Sequence, residues 1–178
     1  MLLIASGLRE ISFEQLMKVY FESNQKNGAI IAPFDTPERQ LRLAEDDFYE
    51  YLHDAFFPLP GACYAIWQDG GVYRSALRFE PYLDGILLEA LETAPQERRK
   101  GYAECLIRGV QAYIFAEGHA VIYSHVSRKN AVSLAVHKKC GFQIFSEYAA
   151  YIDGSVDSAA YTMRSSNFTK SDSDIAHF

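Results

Sequence analysis

Two runs rich in β-branched and aromatic residues, Ala62–Trp67 and Val72–Phe79, flank Asp69-Gly70-Gly71. That turn supplies the positive-φ positions a tight hairpin requires, so this part of the chain is committed to antiparallel strands. A second turn, Pro81 to Gly85, leads into Ile86–Thr93, and the three runs read as a meander. On both sides the hydrophobic period changes from two to 3.6. Upstream, Leu2–Ala5 reads as a first strand. Ser12 and Gln15 form a capping box, Phe13, Leu16, Met17 and Tyr20 follow at helical spacing, and Asn27-Gly28 reads as the stop. Thr36-Pro37-Glu38 opens a second helix, with Leu41, Ala44, Phe48, Leu52 and Ala55 on one face and Pro58 beyond its end. Downstream, Arg98–Glu117 carries Ala103, Leu106, Ile107, Val110 and Ile114 on one helical face, and Gly118 closes it. Ala120–Val126 reads as a buried strand, Asn130–Cys140 as a short helix stopped by Gly141, and Phe142–Phe145 and Ala159–Met163 as the last strands. The predicted order is β-α-α-β-β-β-α-β-α-β-β, a mixed α/β domain around one sheet.

The length of 178 residues predicts one domain, 1–164, followed by a flexible polar tail, 165–178, rich in Ser and Asp and without a period. Hydrophobic residues at 49% and charged residues at 22% exclude disorder as the main state. A net charge of −6 argues against a surface built to neutralise nucleic-acid phosphates. Cys63, Cys105 and Cys140 are scattered, and no Cys/His cluster has zinc spacing, so three reduced thiols and no metal are expected. The apolar start, Met1 to Ala5, is too short for a signal-peptide core, and no apolar run approaches the ~20 residues of a membrane span. The expectation is a soluble, cytoplasmic protein with neither membrane nor nucleic-acid partner.

The segment Leu88 to Ala103 carries the chemistry. A strand runs into a loop containing Pro95, and the loop feeds a helix whose start holds Arg98, Arg99, Lys100 and Gly101. A helix N-terminus is electropositive, so each cation there is disfavoured by a few tenths of a kcal/mol, on the order of 0.3 or more. Three cations make sense if an anion occupies the spot. First-turn N–H groups would point at it, Gly101 would let the backbone approach, and each bond to a charged acceptor is worth roughly 1.5–3 kcal/mol. A solvated basic turn balanced by Glu92, Glu97 and Glu104 is the plainer alternative. No GxGxxG and no Lys-Ser pair after Gly101 support another nucleotide.

Arg98-x-x-Gly101-x-Ala103 resembles the Arg/Gln-x-x-Gly-x-Gly/Ala motif of the GNAT superfamily of acyl-CoA N-acyltransferases. Downstream, Asn130 to Phe142 resembles the family's Asn…Ala/Ser…Leu-Tyr…Lys…Gly-Phe segment. The resemblance covers about residues 86–145. It implies a mostly antiparallel sheet with a central splay, flanked by helices. It also implies acetyl transfer from acetyl-CoA, the acyl donor, to a primary amine of a small molecule or protein. Backbone amides of Arg98, Arg99, Lys100, Gly101, Tyr102 and Ala103 would cradle the pyrophosphate of coenzyme A. The main chain of Leu91 and Thr93 would bond the pantetheine arm and the acyl carbonyl, and Asn130 and Ser133 would touch the arm. A homodimer is implied by analogy.

For catalysis the resemblance points to three side chains. His137 stands where the family usually has a Tyr acting as general acid toward the leaving thiolate. His125 lies where some members carry a Glu base, and Glu89 lies on the cofactor strand. Strand alternation sends Glu89 and Glu92 to opposite faces unless a bulge intervenes, and Glu89 shares the parity of Leu91 and Thr93. Each has a structural alternative: His137 as a packed helix residue beside Phe142, His125 as a satisfied histidine between strands, Glu89 and Glu92 as partners of Arg98 or Arg78. The acceptor would lie among the N-terminal helices, where Tyr20, Phe21, Phe48, Tyr49, Tyr51, Phe56 and Phe57 stand with Asp46, Asp47 and Glu50. Such walls suit a cationic amine, and equally suit a core and a solvated helix face. The absent Tyr at position 137 keeps a second class open, a non-catalytic acyl-CoA-binding sensor or partner module.

Overall fold

The computed structural model describes residues 1–167. The elements are β1 (Leu2–Ala5), α1 (Phe13–Val19), α2 (Phe21–Ile31), α3 (Pro37–Glu50), β2 (Cys63–Asp69), β3 (Val72–Tyr82), β4 (Gly85–Thr93), α4 (Tyr102–Ala116), β5 (Val121–Ser127), α5 (Ala131–Lys139), β6 (Gln143–Ser146), β7 (Ala149–Ala150), β8 (Val156–Asp157) and β9 (Ala160–Ser166). A π-helical turn, Tyr51–Phe56, continues α3. Seven strands form one sheet in the order β1-β2-β3-β4-β5-β9-β6, and β7 and β8 form a separate two-stranded ribbon. β1 on β2, β2 on β3, β5 on β9 and β6 on β9 are antiparallel. The parallel pair is β4 on β5, with Ile86–Leu88 against Ile122–Ser124. This is the α/β class expected, a mostly antiparallel sheet with helices.

Several element boundaries differ from the sequence reading: α4 begins at Tyr102 and not at Arg98, β3 runs through Pro81 to Tyr82, and β7 and β8 were not expected. The first helix divides into α1 and α2 at Tyr20, whose φ of −90° and ψ of 12° leave the helical basin. Its hydroxyl donates to the carbonyl of Ala90, seventy residues away, at 2.6 Å. A long-range bond thus overrides a continuous helical period. The predicted stop at Asn27-Gly28 is also passed, because α2 runs on to Ile31. Gly28 serves close approach instead, since a Cβ there would lie on the backbone carbonyl of Gln40 in α3.

The caps behave mostly as read. Ser12 Oγ accepts from Gln15 N and Thr36 Oγ1 from Arg39 N. The return half of the capping box is spent elsewhere: Gln15 Oε1 accepts from Tyr73 N of β3 at 3.0 Å, while Ser12 N donates to the Tyr73 hydroxyl. The first helix is therefore tied to the sheet at its entry.

Backbone contacts divide the chain into two units, Met1–Glu80 with Glu89–Leu106, and Pro81–Leu88 with Ile107 onward. The first is built on Leu16, Leu52, Phe56, Tyr64, Ile66 and Ala76. The second buries Leu87, Val121 and Tyr123, and Gln111 there donates to Cys140 O and Ser165 Oγ. β9 ends at Ser166, two residues into the segment read as tail, and the tail from 168 lies outside the described residues. Among the described residues no helix is long and apolar enough to cross a membrane.

Candidate functional site

The turn before α4 is built by its neighbours in the first unit. Ala94 N donates to Arg74 O at 3.0 Å, and the Arg74 guanidinium donates to Glu97 at 2.7 Å. Glu97 also holds Lys100 at 2.8 Å, and Lys100, then Arg74, keep its carboxyl below the usual value. Arg98 pairs with Glu22 of α2 at 2.8 Å. Tyr102 sends its hydroxyl to Asp69 at the β2–β3 turn. Of the three cations, Arg99 has no carboxylate partner among the described residues. Glu97, one of the acids expected to balance this turn, is joined there by Glu22, which was not among them.

The backbone of this turn is unusual. Arg99 has φ 64° and Gly101 φ 85°, with Lys100 between them. Left-handed residues interleaved with ordinary ones turn successive N–H groups toward one concave side, an anion-binding nest. Gly101 caps α4, because its carbonyl accepts from Cys105 N. Having no side chain, it leaves the first-turn amides to an external acceptor. The residues singled out from 98 to 103 are thus one contiguous, braced turn opening on the N-terminus of a fifteen-residue helix.

β4 leads into this turn with its own irregularity. Ala90 has φ 51°, a left-handed conformation that breaks strand alternation as a bulge does. Glu89 and Glu92 consequently do not take opposite faces. Glu89 Oε2 accepts from Arg78 Nη2 at 3.1 Å and from Nε at 3.3 Å, and Arg78 lies 4.9 Å over the Tyr51 ring. Glu92 accepts from Ser23 of α2 at 2.7 Å. Both carboxylates reach partners held by the N-terminal helical segments. The second half of β4 is fastened again by Ser75 Oγ, which donates to Glu92 O and lies 3.1 Å from Thr93 Oγ1. Leu91 and Thr93 are half-buried.

Glu80 escaped the sequence reading. It is 8% exposed, and burial, with Glu89 beside it, pushes its carboxyl up against the opposing pull of Arg78. Nothing in the pattern of β3 marks it, because its position there is that of any buried strand residue. Of the aromatic residues named for the acceptor, Tyr20, Phe48, Tyr51, Phe56 and Phe57 form a ring cluster with Tyr64, the Tyr20–Phe48 centroids being 5.3 Å apart. Phe21 and Tyr49 are exposed.

The remaining residues belong to the second unit. Asn130 Oδ1 accepts from Ser133 N at 3.0 Å, so this side chain caps α5. His137 is 2% exposed, edge-on to Phe142 at 5.2 Å, and its Nδ1 lies 2.8 Å from Ser133 O. A carbonyl only accepts, so Nδ1 carries the proton and Nε2 is left as the acceptor of a neutral ring. Burial lowers its pKa from 6.5. At neutral pH this imidazole is not a ready proton donor. The unfolded chain takes up the proton near pH 6.5 and the folded chain only at lower pH, so stability falls as pH drops through that window. His137→Phe is expected to flatten the fall, which cannot exceed about 1.4 kcal/mol per pH unit for one group. Urea unfolding at pH 7.5, 6.5 and 5.5 checks it; an unaltered slope would assign the effect to other groups. His125 of β5 stands edge-on to Tyr82 at 5.5 Å and to Tyr151 at 4.9 Å.

The sequence profile of the acetyltransferase (GNAT) family matches residues 27–142. Comparison with curated protein sequences gives no significant match. Solved structures share the fold. The chain is similar to the PaiA N-acetyltransferase of Thermoplasma acidophilum in complex with coenzyme A, at TM-score 0.60 and 14% identity, over 93% of this chain and 99% of that one. It is similar to the ribosomal-protein-S18-alanine N-acetyltransferase of Escherichia coli, at TM-score 0.60 and 16% identity, over 100% of both chains. An aminoglycoside 6'-acetyltransferase type Ii aligns at TM-score 0.62 and 13% identity, over 94% and 99%.

Proposed function

Because the chain belongs to the GNAT acetyltransferase family, we propose that it moves an acetyl group from acetyl-CoA to a primary amine of a small molecule or protein, by direct attack of the amine on the thioester. The observation that supports this reading is the turn at 98–103, where Arg99 and Gly101 are left-handed and Gly101 is a side-chain-free helix cap, an arrangement suited to an anion. The pyrophosphate of coenzyme A is assigned to the amides of that turn, with the Arg99 guanidinium as the side-chain partner free to join them. The main chain of Leu91 and Thr93 is assigned to the acyl carbonyl and the arm, and the arm contacts of Asn130 and Ser133 stay part of the proposal.

The reaction makes three demands. A lysine-like ammonium must lose a proton, which at pH 7 costs about 4.6 kcal/mol. Glu89 and His125 are the assigned base routes, and Glu80 joins them because burial has already raised its affinity for a proton. The oxyanion needs fixed donors, which N–H groups of a braced strand supply. The thiolate then needs a proton. His137 is the assigned residue, and its neutral ring must first take that proton on Nε2 from the attacking amine. The acceptor is assigned to the first unit, where rings and acids suit a cation. The structural neighbours are named for acceptors as unlike as a ribosomal-protein alanine and an aminoglycoside, so the reading stops at the amine class. A homodimer and a cytoplasmic location are part of the same proposal, by family analogy.

Calorimetry with coenzyme A, followed by thiol release from acetyl-CoA across a panel of primary amines, tests the reading. Binding together with amine-dependent release is expected. Binding without release by any amine would favour the sensor module, a reading supported by the missing Tyr at position 137. Binding of ATP or NAD with none of coenzyme A would overturn both.

A further inference from the structure

The backbone at Ala90 is held by a side chain that the reading above places only among the rings of the acceptor region. A non-glycine residue disfavours φ 51° and persists there where its surroundings fix it. The fixing group is the Tyr20 hydroxyl, which donates to Ala90 O at 2.6 Å. Tyr20 is 5% exposed, and its ring packs between Phe48 and Tyr64, with centroids at 5.3 and 6.3 Å, so it cannot turn away without opening that cluster. Burial raises the hydroxyl well above its ordinary value, and it therefore keeps its proton and remains a donor. Two further links run from the next residues of α2 to the same strand and turn: Ser23 to Glu92, and Glu22 to Arg98.

A peptide group is planar and trans, so its C=O and its N–H point in opposite directions as one rigid unit. The oxygen of Ala90 and the N–H of Leu91 belong to the same group. Fixing the oxygen fixes the direction of the N–H, and a bond to the oxygen also polarises the group and makes the N–H a better donor. We infer that Tyr20 is a positioning residue: by clamping the Ala90 carbonyl it aims the Leu91 amide at the acyl carbonyl of a bound thioester. The inference rests on the acyl-transfer reading. It links the break between the first two helices to the cofactor strand.

Tyr20→Phe keeps the ring and removes the clamp. The readout is the infrared carbonyl stretch of acetyl-CoA labelled with carbon-13 at the acyl carbon, bound to the full chain, which needs no known acceptor. In the wild type the stretch is expected to shift to lower frequency on binding, and in Tyr20→Phe most of that shift is lost while coenzyme A affinity changes less than about twofold, because a misaimed donor weakens carbonyl polarisation and not phosphate binding. With a turned-over amine, kcat falls about tenfold with KM for acetyl-CoA nearly unchanged. An equal shift in both proteins, or none in the wild type, would overturn the inference and leave coenzyme A binding standing. A wild type that ignores coenzyme A overturns the acyl-transfer reading and this inference with it. Should Tyr20→Phe not fold, 3-fluorotyrosine at position 20 keeps ring and hydroxyl and strengthens the donor; a larger shift is expected, and an unchanged or smaller one overturns the inference.

Discussion

Gly101→Val is expected to weaken coenzyme A binding by about a hundredfold, because a charge-assisted N–H bond is worth roughly 1.5–3 kcal/mol and the turn would lose at least one. Gly101 sits at φ 85°, and a β-branched residue there is a genuine outlier. Space is not the obstacle, since a Cβ at this position meets nothing within 4 Å. The chain escapes by returning to negative φ, which swings the adjoining peptide groups and turns amides out of the concavity. Ala94, Arg74 and Glu97 brace the turn upstream but do not restrain Gly101 itself. The turn is exposed, so the melting temperature should change little. Gly101→Asn is the informative companion: asparagine tolerates the left-handed region and should retain most of the affinity. Calorimetry on the three proteins decides the matter. A valine variant that binds within twofold of wild type would mean that the amides at 98–103 do not hold the phosphates.

Gly101 was legible in the sequence because its constraint is local, and the same holds for the hairpin at Gly70-Gly71, whose φ values of 58° and 77° are those an Asp-Gly-Gly turn needs. Cations, glycine, strand and helix follow one another along the chain, so their order marked 98–103 as the place where the helix opens, although the sequence reads as helix from Arg98 and α4 begins only at Tyr102, after the left-handed Arg99 and Gly101. What sequence pattern could not carry is whatever two distant segments do to each other. The helical period runs unbroken through Tyr20, where the helix divides and the side chain bonds the distant carbonyl of Ala90. The left-handed Ala90 itself has no signature, since alanine announces neither a bulge nor a turn, and the faces taken by Glu89 and Glu92 changed with it. His137 was singled out through the resemblance of Asn130 to Phe142 to the family segment. Its tautomer and lowered pKa depend on Ser133 O and on burial, and neither is written in residue types. Glu80 was passed over because a strand residue shows its burial only after the sheet has formed.

Gly28 makes the same point with a sign that can be measured. In a free helix, Gly to Ala stabilises by about 1 kcal/mol, because alanine loses less backbone entropy. Gly28 lies inside α2, and by propensity alone Gly28→Ala should raise the melting temperature. The structure reverses that expectation. A Cβ at this position would overlap the carbonyl oxygen and carbon of Gln40, which are backbone atoms of α3 and cannot rotate aside. The two helices must separate locally. Overpacking costs typically 1–3 kcal/mol, and an overlap with unyielding backbone lies at the upper end, about 3 kcal/mol, so a net loss of about 2 kcal/mol remains after the propensity gain. At roughly 2–4 °C per kcal/mol for a chain of this size, that is a fall of about 4–8 °C. Asn27→Ala, one residue away and exposed, has no such neighbour and should be neutral or slightly stabilising. Scanning calorimetry on the pair separates packing from propensity, and a Gly28→Ala protein that melts higher than wild type would show that α2 and α3 do not approach this closely. Because Tyr20, Glu22 and Ser23 of the same helical segment hold Ala90, Arg98 and Glu92, a displaced α2 should also loosen the cofactor strand. In Gly28→Ala the amide of Leu91 is accordingly expected to exchange with solvent faster than in Asn27→Ala.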